Sequence, residues 1–283
     1  MFCLFAANGP IHAALFVTNT GNYTIESYSS TGTDPGVFAN TNPNIPMGLA
    51  LDGSGNLYVG NYNGNTIMKY SASGTDLGAF ASTGLSAPVG LAFDSSGNLY
   101  AANVNNTITK YSSSGTDLGV FASTGLNSPV GLAFDGNGNL YAANYNGSTI
   151  TKYSSSGTDL GIFANTVGPT GLAFDGSGNL YAANYSLNTI TIFNPDGTDL
   201  GTFASTGLAG PYGLTFDESG NLYVANNIGN TIEKFSPTGT DLGTFASTGL
   251  NSPAFIAFSP VPESSTLSLL ALGGMALLRH RRK

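Results

Sequence analysis

An all-β fold, a six-bladed β-propeller, is predicted by three observations. The tripeptide Gly-Thr-Asp recurs at Gly32, Gly74, Gly115, Gly157, Gly197 and Gly239, at spacings of 42, 41, 42, 40 and 42 residues. Within each period, four short runs rich in Val, Ile, Tyr, Phe and Thr are separated by turn-forming residues, leaving no room for a helix in the body. The repeat is also cut within a unit: the first copy lacks its opening segment, which reappears at the far end as Phe255 to Ser259, reading FIAFS.

In the unit that begins at Gly90, the four strands read GLAFD, NLYAAN, TITKYS and GVFAS. They are separated by DSSG, a short Asn-rich loop and SSGTDLG, each with Asp, Ser or Asn to start a turn or Gly for positive φ. Apolar anchors recur in register: Leu15, Leu57, Leu99, Leu140, Leu180 and Leu222 in the second strand, and Ile25, Ile67, Ile108, Ile150, Ile190 and Ile232 in the third. Four antiparallel strands in 40 to 42 residues is the period of a propeller blade. A lone blade would leave two faces uncovered, Leu91 and Phe93 on one side and Gly90 and Ala92 on the other, so the blades must stack into a closed ring. The offset cut implies that the Phe255 strand lies beside the Leu15 strand, so that both ends of the chain share one blade without a disulfide.

Of the 283 residues, 41% are hydrophobic and 11% aromatic, enough for a sizeable core, but only 8% are charged. The surface must therefore be mostly Ser, Thr, Asn and Gly. Arg279, Arg281, Arg282 and Lys283 crowd the last five positions, leaving four lysines against fifteen acids in the body, a balance of about −11. A body this acidic repels phosphate and excludes nucleic acid as its partner.

The segment PVGLAFDSSGNLYAANVNNTITKYSSSG resembles NHL repeats, and the similarity runs from residue 10 to residue 259. The family usually carries Asp where this chain has Asn103, Asn144, Asn184 and Asn226, and has a more basic third strand. The RNA binding of some NHL propellers is therefore not carried over.

Beyond residue 260 the composition changes abruptly. The final VPESSTLSLLALGGMALLRHRRK resembles a PEP-CTERM sorting segment: a motif at Val261, Pro262 and Glu263, one apolar helix, and a basic terminus. Ser264 stands where the family usually has a second Pro. The apolar stretch would form a helix of about 22 Å, short of the ~30 Å hydrocarbon core, so Arg279, Arg281, Arg282 and Lys283 would snorkel as a membrane stop. Basic residues stay cytoplasmic, which puts the propeller outside. The resemblance implies processing at Val261 to Glu263 by an exosortase-like enzyme. Residues 1–14 are read as the remnant of a signal peptide, with Ala13 or Ala14 at the cut. The domain reading is thus 1–14 signal remnant, 15–259 propeller and 260–283 sorting and anchor segment.

Propellers also include gluconolactonases and streptogramin lyases. The two histidines, His12 and His280, and the single cysteine, Cys3, all lie outside the expected propeller, which removes the usual general base and thiol nucleophile. The acids mostly repeat, as Asp52, Asp94, Asp135, Asp175 and Asp217 in one column and Asp34, Asp76, Asp117, Asp159, Asp199 and Asp241 in another, where turn formation explains them. The run Asp135 to Asn139 resembles the start of a calcium loop but lacks the Gly and Glu that would complete it, so a hairpin turn is expected. Residues that break the repeat, namely Glu26, Asp196, Tyr212, Glu218, Glu233 and Phe255, read as surface variation, and Lys69, Lys110, Lys152 and Lys234 as snorkelling over aromatic rings. No catalytic, cofactor or metal residues are assigned. The expectation is an exported, surface-exposed binding or scaffold propeller with exopolysaccharide or another surface protein as partner. A metal-dependent hydrolase or lyase is the alternative.

Overall fold

The computed structural model describes residues 14–41 and 44–260. Residues 1–13 of the signal remnant, Val261, Pro262, Glu263, the apolar tail, and Arg279, Arg281, Arg282 and Lys283 lie outside the described residues. Among those described there is no helix, and the strands form six four-stranded antiparallel sheets.

Blades 1 to 5 follow the chain, with inner strands Pro46–Leu51, Pro88–Phe93, Pro129–Phe134, Pro169–Phe174 and Pro211–Phe216. Blade 6 is composite. Its inner strand is Pro253–Phe258, paired antiparallel with Leu15–Asn19, which pairs in turn with Thr24–Tyr28 and then Val37–Asn40. The shared blade expected from the offset cut is therefore present. Backbone bonds clasp it at both ends: Ser259 N–H donates to the Ala14 carbonyl (2.8 Å) and Thr20 N–H to the Ser252 carbonyl (3.1 Å).

The core lies between blades. Tyr100 is held edge-to-face between Phe121 of its own blade (4.8 Å between centroids) and Phe134 of the next (4.9 Å). The same pin recurs at Tyr58, Tyr141, Tyr181 and Tyr223. Each such pair contributes roughly 0.5–1.5 kcal/mol beyond the area it buries. Closer to the axis the blades meet backbone to backbone. A Cβ placed on Gly90 would collide with the Val130 carbonyl oxygen, and one on Gly131 with that of Thr170. Glycine is required there because any side chain would push the inner strands apart.

The fourth strand begins earlier than the turn chemistry predicts. Asp117 already pairs with Tyr111, and Asp117 Oδ1 accepts the Gly119 N–H (2.8 Å). Gly119 has φ of 91°, so Asp-Leu-Gly is an irregularity inside the strand rather than part of the preceding loop.

Candidate functional site

Each blade has two ends. At one lie the loops between its first and second strands, which carry the first column of Asp residues, and those between its third and fourth. At the other lie the loops between its second and third strands and the links to the next blade.

The Asp end is internally satisfied. Asp94 Oδ1 accepts the N–H groups of Ser96 and Asn98, and Oδ2 accepts the Asn98 amide and the Tyr100 hydroxyl. Lys110 lies 3.7 Å from the same Oδ2 and 5.0 Å from the centre of the Tyr100 ring. Burial works against the charge of Asp94, but these hydrogen bonds outweigh it and hold the carboxyl below its ordinary range. Lys69, Lys152 and Lys234 repeat the arrangement with Asp52, Asp135 and Asp217, so the lysines do lie over aromatic rings, with an ion pair added. Asp135, the suggested calcium residue, likewise accepts from Asn137, Asn139 and Tyr141 and faces Lys152 at 3.8 Å, the geometry of a closed turn. Among the described residues, no three His, Cys, Asp or Glu side chains come together as metal ligands could.

The opposite end differs from blade to blade. The residue after the Asn that ends each second strand is Thr20, Tyr62, Val104, Tyr145, Tyr185 or Asn227. Two rings of this column and two of the inner strands form a run: Tyr145 to Tyr185 is 6.2 Å between centroids, Tyr185 to Tyr212 is 6.1 Å, and Tyr212 to Phe255 is 5.4 Å. The Tyr185 hydroxyl reaches Asn227 Oδ1 at 3.4 Å. Burial pushes the Tyr212 hydroxyl well above the ordinary tyrosine range, and the Tyr185, Tyr145 and Tyr62 side chains add to the effect. Tyr212, on the inner strand of blade 5, thus joins a ring of blade 4 to one of blade 6.

Two of the repeat-breaking residues are thus parts of one constellation, which corrects their reading as surface variation. Glu26 and Glu233 also depart from it. They are only 2% and 5% exposed, because the link from the preceding blade covers the middle of the third strand. Glu26 Oε1 accepts the Thr24 hydroxyl, and Glu233 Oε1 that of Thr244. Asp196 and Glu218 are exposed turn residues, in keeping with their reading as surface variation.

The loops of the aromatic end are held by repeated ties. Asn106, at φ of 61°, accepts the Ser128 N–H on the next link (2.7 Å), and Asn65, Asn188 and Asn230 do the same for Ala87, Gly210 and Ser252. The Asn-for-Asp departure in the second strand has a physical reason as well. Buried Asn103 accepts the Ser86 N–H through Oδ1 and donates through Nδ2 to Thr109 Oγ1, a task no carboxylate could perform.

No family model matches the chain, and no curated protein does. Among solved structures it is similar to a chain in the crystal structure of a nidogen/laminin complex, with a TM-score of 0.79 and 23% identity, covering 88% of this chain and 99% of that one. It is also similar to virginiamycin B lyase from Staphylococcus aureus, with a TM-score of 0.60 and 18% identity over 76% of this chain and 77% of that one. At such identities the likeness concerns architecture, and it agrees with the sheets and their closure: the chain is a six-bladed β-propeller.

Proposed function

We propose that the chain is an exported, non-enzymatic binding and scaffold module that engages its ligand at the aromatic end of the ring. The observation that carries this reading is the run of Tyr145, Tyr185, Tyr212 and Phe255, from four successive blades, each ring in contact with the next. Convergence of unlike residues from different blades is what distinguishes a site from a ring of structural equivalents. The groups that converge are aromatic rings, hydroxyls and amides, which suit recognition. Acid–base chemistry calls for a group that titrates near the working pH, whereas Tyr212 is moved away from that range.

The ends of the propeller fit this reading. Ala14 and Ser259 leave blade 6 beside one another at the end opposite the aromatic face. A tail at residues 260–283, inserted in a membrane and processed near Val261 to Glu263 by an exosortase-like enzyme, would continue from the end of the propeller that does not carry that face.

The test is to immobilise the full chain and pass fractionated extracellular polymer and surface protein over it, sizing the retained material before and after. Retention in constant proportion to the protein, with no shortening of the retained material, is expected. Turnover of the retained material would replace the binding reading with the hydrolase or lyase alternative.

A further inference from the structure

We propose that the aromatic end is a carbohydrate-binding site for a neutral polysaccharide, with Tyr145, Tyr185, Tyr212 and Phe255 supplying the stacking surface and Asn227 and the neighbouring loop amides the polar rim. The proposal rests on the binding-module reading and names the ligand class of that same face.

Its first support is the distribution of charge. None of the twelve connections at this end, from Thr20 to Tyr23 in blade 6 round to Ser247 to Ser252, contains Asp, Glu, Lys, Arg or His. The rest of the body carries fifteen acids and four lysines. In a body this acidic, connections without a charge of their own are a local property with consequences for the ligand. The nearest carboxylates, Asp34, Asp117, Asp159 and Asp241, belong to the approach to or start of the fourth strands and lie against link glycines. The face offers no cation to a carboxylated or sulfated polymer, and the field of the surrounding acids repels such a polymer. Its loops carry no anion of their own for a basic partner, which would be drawn to the two columns of Asp residues instead. Nor does it contain the charged groups that fix the register of a protein partner.

Its second support is what the face does contain. The three centroid separations of 6.2, 6.1 and 5.4 Å make a continuous run of rings from blade 3 to blade 6, each turned edge-on to the next. Aromatic rings suit the C–H faces of pyranose units, and the hydroxyls at the edge of a sugar pair equally with donors and acceptors. The rim supplies both kinds. Asn227 accepts from Tyr185 and donates to the Pro253 carbonyl, and Asn146, Asn188 and Ser186 stand on the same loops. The backbone ties that fix these loops keep the ordering cost of binding low. Leu187 (53% exposed) and Ile228 (63% exposed) stand on the same loops, and Ile228 and the Tyr185 ring both close on Gly210.

The test is affinity electrophoresis of the full chain through gels containing dextran, galactomannan or xyloglucan, or the acidic polymers alginate and polygalacturonate. At least one neutral polymer should retard the protein, in high salt as in low and in the presence of EDTA, and neither acidic polymer should. Tyr185→Ala and Tyr145→Ala should weaken the interaction by about tenfold or more while the melting temperature stays near that of the parent. Tyr185→Phe, which keeps the ring, should retain most of it. The proposal is overturned if no neutral polymer retards the chain, if an acidic one retards it equally, or if the two alanine variants migrate as the parent does. Engagement of a protein through this face without any polymer binding would likewise overturn it, yet leave the binding-module reading intact. Shortening of the polymer in the gel would overturn that broader reading.

Discussion

Phe255 meets Tyr212 edge-to-face, 5.4 Å between ring centroids, at the one point of the inner ring where a side chain replaces glycine. Gly48, Gly90, Gly131, Gly171 and Gly213 hold the equivalent positions in blades 1 to 5. The joint is reinforced by Thr18, whose hydroxyl accepts the Phe255 N–H (3.0 Å) and donates to the Met47 carbonyl of blade 1 (2.8 Å). The ring is therefore least regular where its two chain ends meet, and that irregularity contributes a ring to the candidate site.

The glycine contacts predict a sharp contrast between two substitutions. Gly90→Ala drives a methyl into backbone that cannot swing aside, and should cost about 3 kcal/mol or more. Gly53→Ala meets nothing within 4 Å in an ordinary backbone conformation and should change stability by less than about 0.5 kcal/mol. Urea unfolding of the pair checks the backbone-to-backbone packing near the axis, and equal losses would contradict it.

Closure predicts unequal truncations. Ending the chain at Pro253 removes the inner strand of blade 6, bares the edge of Leu15–Asn19 and uncovers the blade 5 and blade 1 faces, so the melting transition should fall steeply or disappear. Ending it at Glu263 keeps the strand and should melt as the full chain does. Calorimetry on both proteins reads the difference directly.

Two carboxylates predict opposite pH dependence. Burial raises Glu26, the Thr24 hydroxyl opposes the shift, and the charge of Asp34 adds to it. A raised folded-state pKa means that stability is fully present below the unfolded pKa and is lost as pH rises through the folded value. Glu26→Gln should therefore melt higher than the parent at neutral pH and converge with it below about pH 4. Asp94 is depressed, so its contribution is present above the unfolded pKa and lost as pH falls through the folded value. Asp94→Asn should cost about 1–3 kcal/mol at neutral pH and flatten the acid limb. Melting curves for both variants from acid to neutral pH would show whether the two shifts have these signs.

The sorting proposal predicts a missing C-terminus. Peptide mass spectrometry of the mature, cell-external protein should recover the propeller but no peptide from Leu267 to Lys283. An intact terminus on the exported protein would remove cleavage from the account.

The period, the strand assignments, the composite blade and the placement of the lysines over rings were legible because each is written locally and repeated. What a single unit conceals is the meaning of a residue that changes between units. Tyr62, Tyr145 and Tyr185 look like ordinary loop residues until the column from Thr20 to Asn227 is compared across six blades. The meeting of Tyr145 with Tyr185 arises only when blades 3 and 4 stand side by side in the ring. Tyr212 and Phe255 did break the pattern, but neither contacts the other until blades 5 and 6 pack. Glu26 and Glu233 were misplaced for a related reason: strand alternation describes one blade, whereas the link from the neighbour covers that face. The Asp-x-Gly start of the fourth strand reads as turn chemistry either way, because an Asx bond and a positive φ serve a loop and a bulge alike.

The most direct test of the aromatic end as the binding face uses the 14 tyrosines as reporters. Ring-labelled tyrosine NMR of the full chain would be recorded while soluble oligosaccharides of the neutral polymer that retards it are titrated in. The resonances of Tyr145, Tyr185 and Tyr212 should move together and saturate, while those of Tyr58, Tyr100, Tyr141 and Tyr223, pinned at the Asp end, should stay in place. Shifts confined to the second group, or spread evenly over both, would contradict the account.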